Sequence, residues 1–170
     1  MRNLLALCAC ITVLTGCGTL AFKPAEYPLR DGLIPAFNVS GDVAISNAQP
    51  SAEPVIVYSY VGSQLSSDLQ AITETMVQQT RKELQKNGNR TGAGGEKTMA
   101  IKVNSLLSTY TNAFFWKSNI EFRVTLGNGQ TLDFKVPHTS GSLMQDLNGC
   151  IAEGVLVLLK DERVRSYLAG

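Results

Sequence analysis

The chain has 170 residues, enough for one domain of ordinary size with a short extension, and its hydrophobic content of 44% is that of a folded globular protein. Lys and Arg total 15 against 14 Asp and Glu, so the basic excess that phosphate neutralisation demands of a nucleic-acid binder is missing. One histidine, His138, and four badly spaced cysteines argue against a protein-ligated transition metal, and the composition by itself implies no cofactor.

The first sixteen residues read as a targeting segment: a positive charge at Arg2, an apolar run from Leu4 to Leu14, then Thr15 and Gly16. The run is shorter than the ~20 residues that a bilayer-spanning helix needs, which favours a cleaved signal peptide over a membrane anchor. Leu14-Thr15-Gly16-Cys17 resembles a bacterial lipobox, in which the cysteine is lipidated and becomes the first residue after cleavage. The competing reading is an ordinary secretory signal cut near Gly18. Resemblance to bacterial lipoproteins implies acyl chains such as palmitate on Cys17, and two or three chains hold a protein on a membrane where one does not. Gly18 resembles the pattern of lipoproteins sorted to the outer membrane. Cleavage removes Arg2 and no acid, leaving 14 basic and 14 acidic side chains, and it discards Cys8 and Cys10. Cys150 then stands alone in the domain with no intramolecular partner, on an apolar helix face, and reads as buried and inert.

Residues 17–36 carry Pro24, Pro28 and Pro35 with no apolar period, which suits a lipidated cysteine followed by an extended tether, with the domain at 37–170. Phe37, Val39, Val43 and Ile45 alternate as in a half-buried strand. Val55 to Val61, rich in β-branched and aromatic residues and closed by Gly62, reads as a second strand. Leu69, Ile72, Met76, Val77 and Leu84 recur at helical spacing, with Ser66, Ser67 or Asp68 as N-cap and Gly88 as a left-handed stop. The glycine-rich tract from Gly88 to Gly95 reads as a loop.

Met99, Ile101 and Val103 alternate before Leu106 shifts the phase, the mark of a bulged strand. The even positions Phe114, Trp116, Ile120, Phe122, Val124 and Leu126 make the clearest strand, and Gly127-Asn128-Gly129 predicts a type I′ turn into Leu132, Phe134 and Val136. Pro137 is expected to end that strand. A helix from about Ser142 presents Leu143, Leu147, Cys150, Ile151, Gly154, Val155, Leu158 and Leu159, and Asp161 caps a short terminal helix over Val164 and Leu168. The order β-β-α-β-β-β-α-α predicts an α+β fold, a mostly antiparallel sheet of four to five strands with two main helices on one face.

The span from the lipobox to the C-terminus resembles the YajG-like lipoproteins, small outer-membrane lipoproteins of bacteria. The likeness rests on Asp68-Leu69 through Lys86-Asn87-Gly88, Ile101 to Leu106, Gly127 to Leu132 and Leu159 to Val164. Auxiliary lipoproteins of lipid and solute transport systems are similar in layout. The resemblance implies an α+β periplasmic domain held by acyl chains on Cys17, and no catalytic signature.

Candidate chemistry is sparse. Gly92 to Thr98 approaches a phosphate-binding loop, but Glu96 separates Gly95 from Lys97, and the tract leads from a helix into a strand where a phosphate cradle needs the reverse. His138 has no Gly-x-Ser-x-Gly elbow near it and reads as a solvated loop residue. Asp42, Glu74, Glu121, Asp133 and Asp146 lie on different elements. The stretch Tyr110, Phe114, Phe115 and Trp116 stands out, because Phe115 falls opposite the core-facing set. It is either a contact for an envelope protein or the membrane, or a loop folded back over the core. The reading that follows is a non-enzymatic, lipid-anchored binding or assembly module of the cell envelope, against a hydrolase of cell-wall or lipid material or a purely structural surface lipoprotein.

Overall fold

The computed structural model describes residues 18–91, 94–112 and 114–170; residues 1–17, and with them the expected signal segment and lipidated Cys17, lie outside them, as do Gly92, Ala93 and Ala113. The elements are β1 (Thr19–Ala21), β2 (Phe37–Ser40), β3 (Val43–Asn47), β4 (Pro54–Tyr60), β5 (Ser63–Asp68), α1 (Leu69–Asn87), β6 (Gly88–Thr91), β7 (Lys97–Asn112), β8 (Phe115–Leu126), β9 (Thr131–Ser140), α2 (Leu143–Lys160) and α3 (Glu162–Ala169). The fold is α+β, with α1 and α2 packed on each other and on the same face of the main sheet.

That sheet is larger and more mixed than the sequence pattern predicts. Its seven strands run β1-β5-β4-β7-β8-β9, with β3 also on β7. β4–β5, β7–β8 and β8–β9 are antiparallel, while β1 on β5, β3 on β7 and β4 on β7 are parallel. Parallel neighbours need a crossover, and α1 supplies it between the β3–β5 stretch and β7. The hydrophobic period reports which face a strand buries and is silent on the direction of its neighbours.

The expected single strand over Phe37 to Ile45 is two. It breaks at Gly41, whose φ of +75° is left-handed and whose missing Cβ would meet the Gly95 carbonyl oxygen at 2.3 Å. β2 leaves for a separate two-stranded parallel sheet with β6, and β3 joins β7. Residues 18–36 are largely extended but not free of the domain: β1 pairs with β5, Phe22 and Ile34 are buried, and the Tyr27 carbonyl accepts from Gln79 Nε2 at 2.7 Å. Two apolar side chains in a proline-rich stretch give no period, so their burial is invisible to pattern.

Asp68 caps α1, accepting from Ala71 N at 2.6 Å. Gly88 ends that helix with φ of −85°, not left-handed; a side chain there would press on the Leu84 carbonyl oxygen and Val39, so close approach requires the glycine. The loop after β8 puts only Gly129 in the left-handed region, and the Asn128 side chain instead accepts from Gln130 N at 3.0 Å. Pro137 does not end β9. It sits inside that edge strand opposite Asn119, a place in a sheet that tolerates a missing N–H. Asp161 caps α3 through Arg163 N and Val164 N, as its position predicts.

The phase shift in β7 is a bulge between Val103 and Ser105 against β8. The fully buried Thr73 of α1 accepts the Val103 N–H at 3.1 Å, so the irregular strand stays satisfied from the helix. Thr73→Val keeps the volume and removes the acceptor, and a buried N–H without a partner costs about 1–3 kcal/mol. The expected outcome is an unfolding free energy lowered by that amount, read as a lower urea midpoint with an unchanged slope.

Candidate functional site

The long hairpin β7–β8 reaches beyond the helices that cover it. A strand of 16 residues extends roughly 50 Å, whereas the 18 residues of α2 span roughly 27 Å. Along β8, Ile120, Phe122, Val124 and Leu126 are fully or almost fully buried, and the cover stops at Ser118, where α2 begins.

At that boundary lies a buried polar cluster. Asp146, in the first turn of α2, is fully buried; one of its carboxyl oxygens accepts from Ser108 Oγ of β7 at 2.7 Å and also from Ser118 Oγ of β8. Ser118 Oγ lies 3.1 Å from the Asp146 carbonyl oxygen as well, and Asp146 N donates to Ser142 O at 2.8 Å. The second carboxyl oxygen has no hydrogen-bond partner among the described residues. A helix N-terminus favours a carboxylate, and the two hydroxyls fix where α2 lands on the two central strands. Pattern reading treats Asp146 as one scattered acid; the available signal is that Ser108, Ser118 and Asp146 each stand at a core-facing phase of their element.

Beyond the cluster the sheet ends in aromatic rings. Tyr60 of β4, Tyr110 of β7 and Trp116 of β8 form a row, with ring centroids 4.7 Å apart for the first pair and 5.6 Å for the second. Tyr110 and Trp116 are half-buried, and the indole N–H is shielded with no acceptor among the described residues. Past them, Phe114 at the turn is 73% exposed and Phe115 is 49% exposed. The predicted stretch therefore divides: Tyr110 and Trp116 close the end of the core, and Phe114 and Phe115 project from it. The neighbouring β4–β5 turn adds Tyr60, 48% exposed, and Val61, 83% exposed with φ of +42°. A β-branched residue in the left-handed region is strained, and sequence reading, which ends a strand at Val61, misses this second tip.

The groups that a hydrolase would need are apart. His138 is half-buried within β9, not in a loop; it is paired across from Ser118, and its ring lies against Gly149 of α2. Asp133 sits on the opposite, helix-free face of the sheet, where it accepts from Arg123 Nε at 2.7 Å. Five residues along one strand reverse the side-chain direction, so His138 and Asp133 cannot share a pocket. Asp42 pairs with Arg90, Glu121 with Lys135, and Glu74 accepts from Gln78 and Asn47, each in a different place. No cluster of three potential metal-ligating side chains occurs among the described residues. Among them, too, no helix is long and apolar enough to cross a membrane.

No family model matches the chain, and no curated protein matches it. Among solved structures, a Xanthomonas campestris protein of the family model DUF330 is similar at 16% identity with a TM-score of 0.47, over 82% of this chain and 94% of that one. A second, described as an uncharacterized protein, is similar at 15% identity and a TM-score of 0.39, over 88% of this chain and 99% of that one. Neither description names an activity or the YajG-like lipoproteins.

Asp146→Ala strands the Ser108 and Ser118 hydroxyls in the core and should lower unfolding free energy by about 1–3 kcal/mol. Replacing all three by apolar residues should recover much of that loss in urea titrations, since apolar packing substitutes well for a buried polar group. Cys150 is fully buried on α2, and burial pushes its thiol up to about 12. The folded protein therefore holds the thiol proton above the unfolded value of 9.0. The resulting stability is complete below that pH and is lost as pH rises towards 12. Thiol labelling at pH 8 should occur only at the rate of unfolding, and Cys150→Ala should flatten the alkaline fall in stability.

Proposed function

We propose that the chain is a lipid-anchored lipoprotein of the bacterial cell envelope, of the YajG-like kind, acting as a non-enzymatic binding or assembly module. Acyl chains on Cys17 hold it to the membrane, on the outer-membrane side by the sorting pattern at Gly18, and the α+β domain stands in the periplasm. The observation that supports a binding role is the aromatic end itself. Phe114 and Phe115 are exposed on a hairpin whose base is fixed by the Asp146 cluster, and exposed aromatic side chains on a rigid support are the usual anchors of recognition. The lipobox supports the anchor: an n-region, an apolar run and Leu14-Thr15-Gly16-Cys17 occur at the right separation.

The reading is tested by the mass of the mature protein and by its fractionation. Cys17 should carry a diacylglyceryl group, with cleavage after Gly16, and Cys17→Ser should leave the chain unacylated and release it from the membrane fraction. A mature wild-type protein that starts elsewhere and lacks acyl chains overturns the anchor. A photocrosslinker at position 115 that captures neither protein nor lipid in cells overturns the binding role.

A further inference from the structure

The described chain begins at the same end of the molecule as the aromatic tips. β1 is parallel to β5 with Thr19 opposite Gln64, and β5 is the return strand of the Val61 turn, with Tyr60 opposite Ser63. The described chain thus begins beside that tip and runs away from it. In the sequence Cys17 is two residues before Thr19, and two residues of backbone span at most about 7 Å, so acyl chains on it would tie the domain to a membrane through this end. The tip of β7–β8 is here as well: Tyr58 is level with Ser108, both strands run the same way, and the Tyr60 and Tyr110 rings touch.

The side chains at this end share one character. Val61, Phe114, Phe115 and Tyr60 are exposed, and Leu20 of β1, opposite Leu65, is 66% exposed. The stretches that build the end, residues 18–22, 54–67, 103–119 and 136–145, contain no Asp or Glu, and Lys117 is their one Lys or Arg. All 14 acids of the chain are elsewhere. An end with aromatic and aliphatic tips, no negative charge and one base suits the headgroup boundary of a bilayer that contains anionic lipid. Val61 adds a separate argument. It is an apolar, β-branched side chain in a strained left-handed conformation facing solvent, and such outliers persist where a role maintains them.

We infer that the two hairpin tips, carrying Val61, Phe114 and Phe115, insert into the interface of the bilayer to which Cys17 is attached, so that the domain docks tip-down on its own membrane rather than swinging on a tether. The inference rests on the lipoprotein reading and names the partner of the same aromatic end: a phospholipid surface. The acyl chains supply retention; the tips supply orientation, and the helix-free sheet face and α3 are held away from the headgroups or at their side.

The test uses the acylated protein purified from membranes and reconstituted in vesicles of phosphatidylethanolamine and phosphatidylglycerol that include phosphatidylcholine brominated along its acyl chains. An environment-sensitive fluorophore is placed at Asn112→Cys, beside the tip, or at Asn128→Cys, at the opposite end of the hairpin; buried Cys150 does not compete for it. Trp116, the one tryptophan, is a second reporter near the tip. The expected result is quenching of the label at 112 and of Trp116, with the label at 128 as bright as in water. Phe114→Ser with Phe115→Ser should abolish the difference between 112 and 128 while the protein stays on the vesicles. Val61→Asn, which suits the left-handed turn, should weaken it in a domain at least as stable, so loss of folding is not the cause. A label at 112 that stays in water on a vesicle-bound protein overturns the inference, as does quenching that both variants leave unchanged. So does a position-115 photocrosslinker that captures a discrete protein in place of lipid. If Cys17 proves not to be acylated, the lipoprotein reading fails separately. The same labels on a domain held at residue 18 by an N-terminal hexahistidine on nickel-chelating lipid still decide whether the tips enter the bilayer.

Discussion

A length mismatch governs this molecule. The β7–β8 hairpin is about twice as long as the helix that covers it, and a sheet that buries one face can be dry only where a helix lies. Where α2 lies, β8 alternates from Ile120 to Leu126 between buried apolar residues and half-buried or exposed polar ones, and the helix-free face carries the pairs Arg123–Asp133 and Lys135–Glu121. Such exposed, solvent-screened pairs contribute little to stability, so the fold depends on the covered face. Where the helix stops, the strands continue, and aromatic rings take the place of a packed layer.

The boundary between these regions is held by hydrogen bonds rather than apolar contact. Asp146 reaches two strands through Ser108 and Ser118, which sets both the axial position of α2 and the point beyond which the hairpin is uncovered. An apolar residue at 146 would let the helix slide by a fraction of a turn at small cost, while two hydroxyls aimed at one carboxyl oxygen do not. Thr73 does a similar service for α1, fixing it against the bulge in β7 through the Val103 N–H. Both helices are thus registered on the same strand by one polar contact each, within an apolar interface. The aromatic end is rigid for that reason, and a rigid apolar end can set orientation on a partner surface in a way that a flexible one cannot.

Much of the fold was legible. The helix starts at Asp68 and Asp161 follow from capping chemistry, the start near Ser142, whose side chain makes no capping bond, from period alone, and the bulge follows from the shift between Val103 and Leu106. Phe115 is exposed, as its odd position suggests, but Phe114, expected in the core-facing even set, is more exposed still, because β8 begins only at Phe115 and Phe114 belongs to the turn. What escaped did so for specific reasons. β5 is Ser63–Asp68, polar and without alternation, and is a strand because β4 and β1 flank it. β1 and β6 are three and four residues long and mostly exposed. Pro137 remains in a strand because β9 is an edge, a fact of sheet order. The aromatic end was half visible: Tyr110 to Trp116 stand out in the sequence, but Tyr60 and Val61 join them only through the pairing of β4 with β7.

The sequence alone determined which residues of the periodic helices and of the central strands face the core, and where the helices start and stop, because these depend on period and on contacts within a few positions of the chain. The tertiary structure decided that the main sheet is mixed, that Asp146 meets two serines 38 and 28 positions away, and that Thr19, Val61 and Phe115 belong to one end. Those are outcomes of strand order and direction, which come from packing α1 and α2 together on one face of the sheet, and no local pattern encodes them.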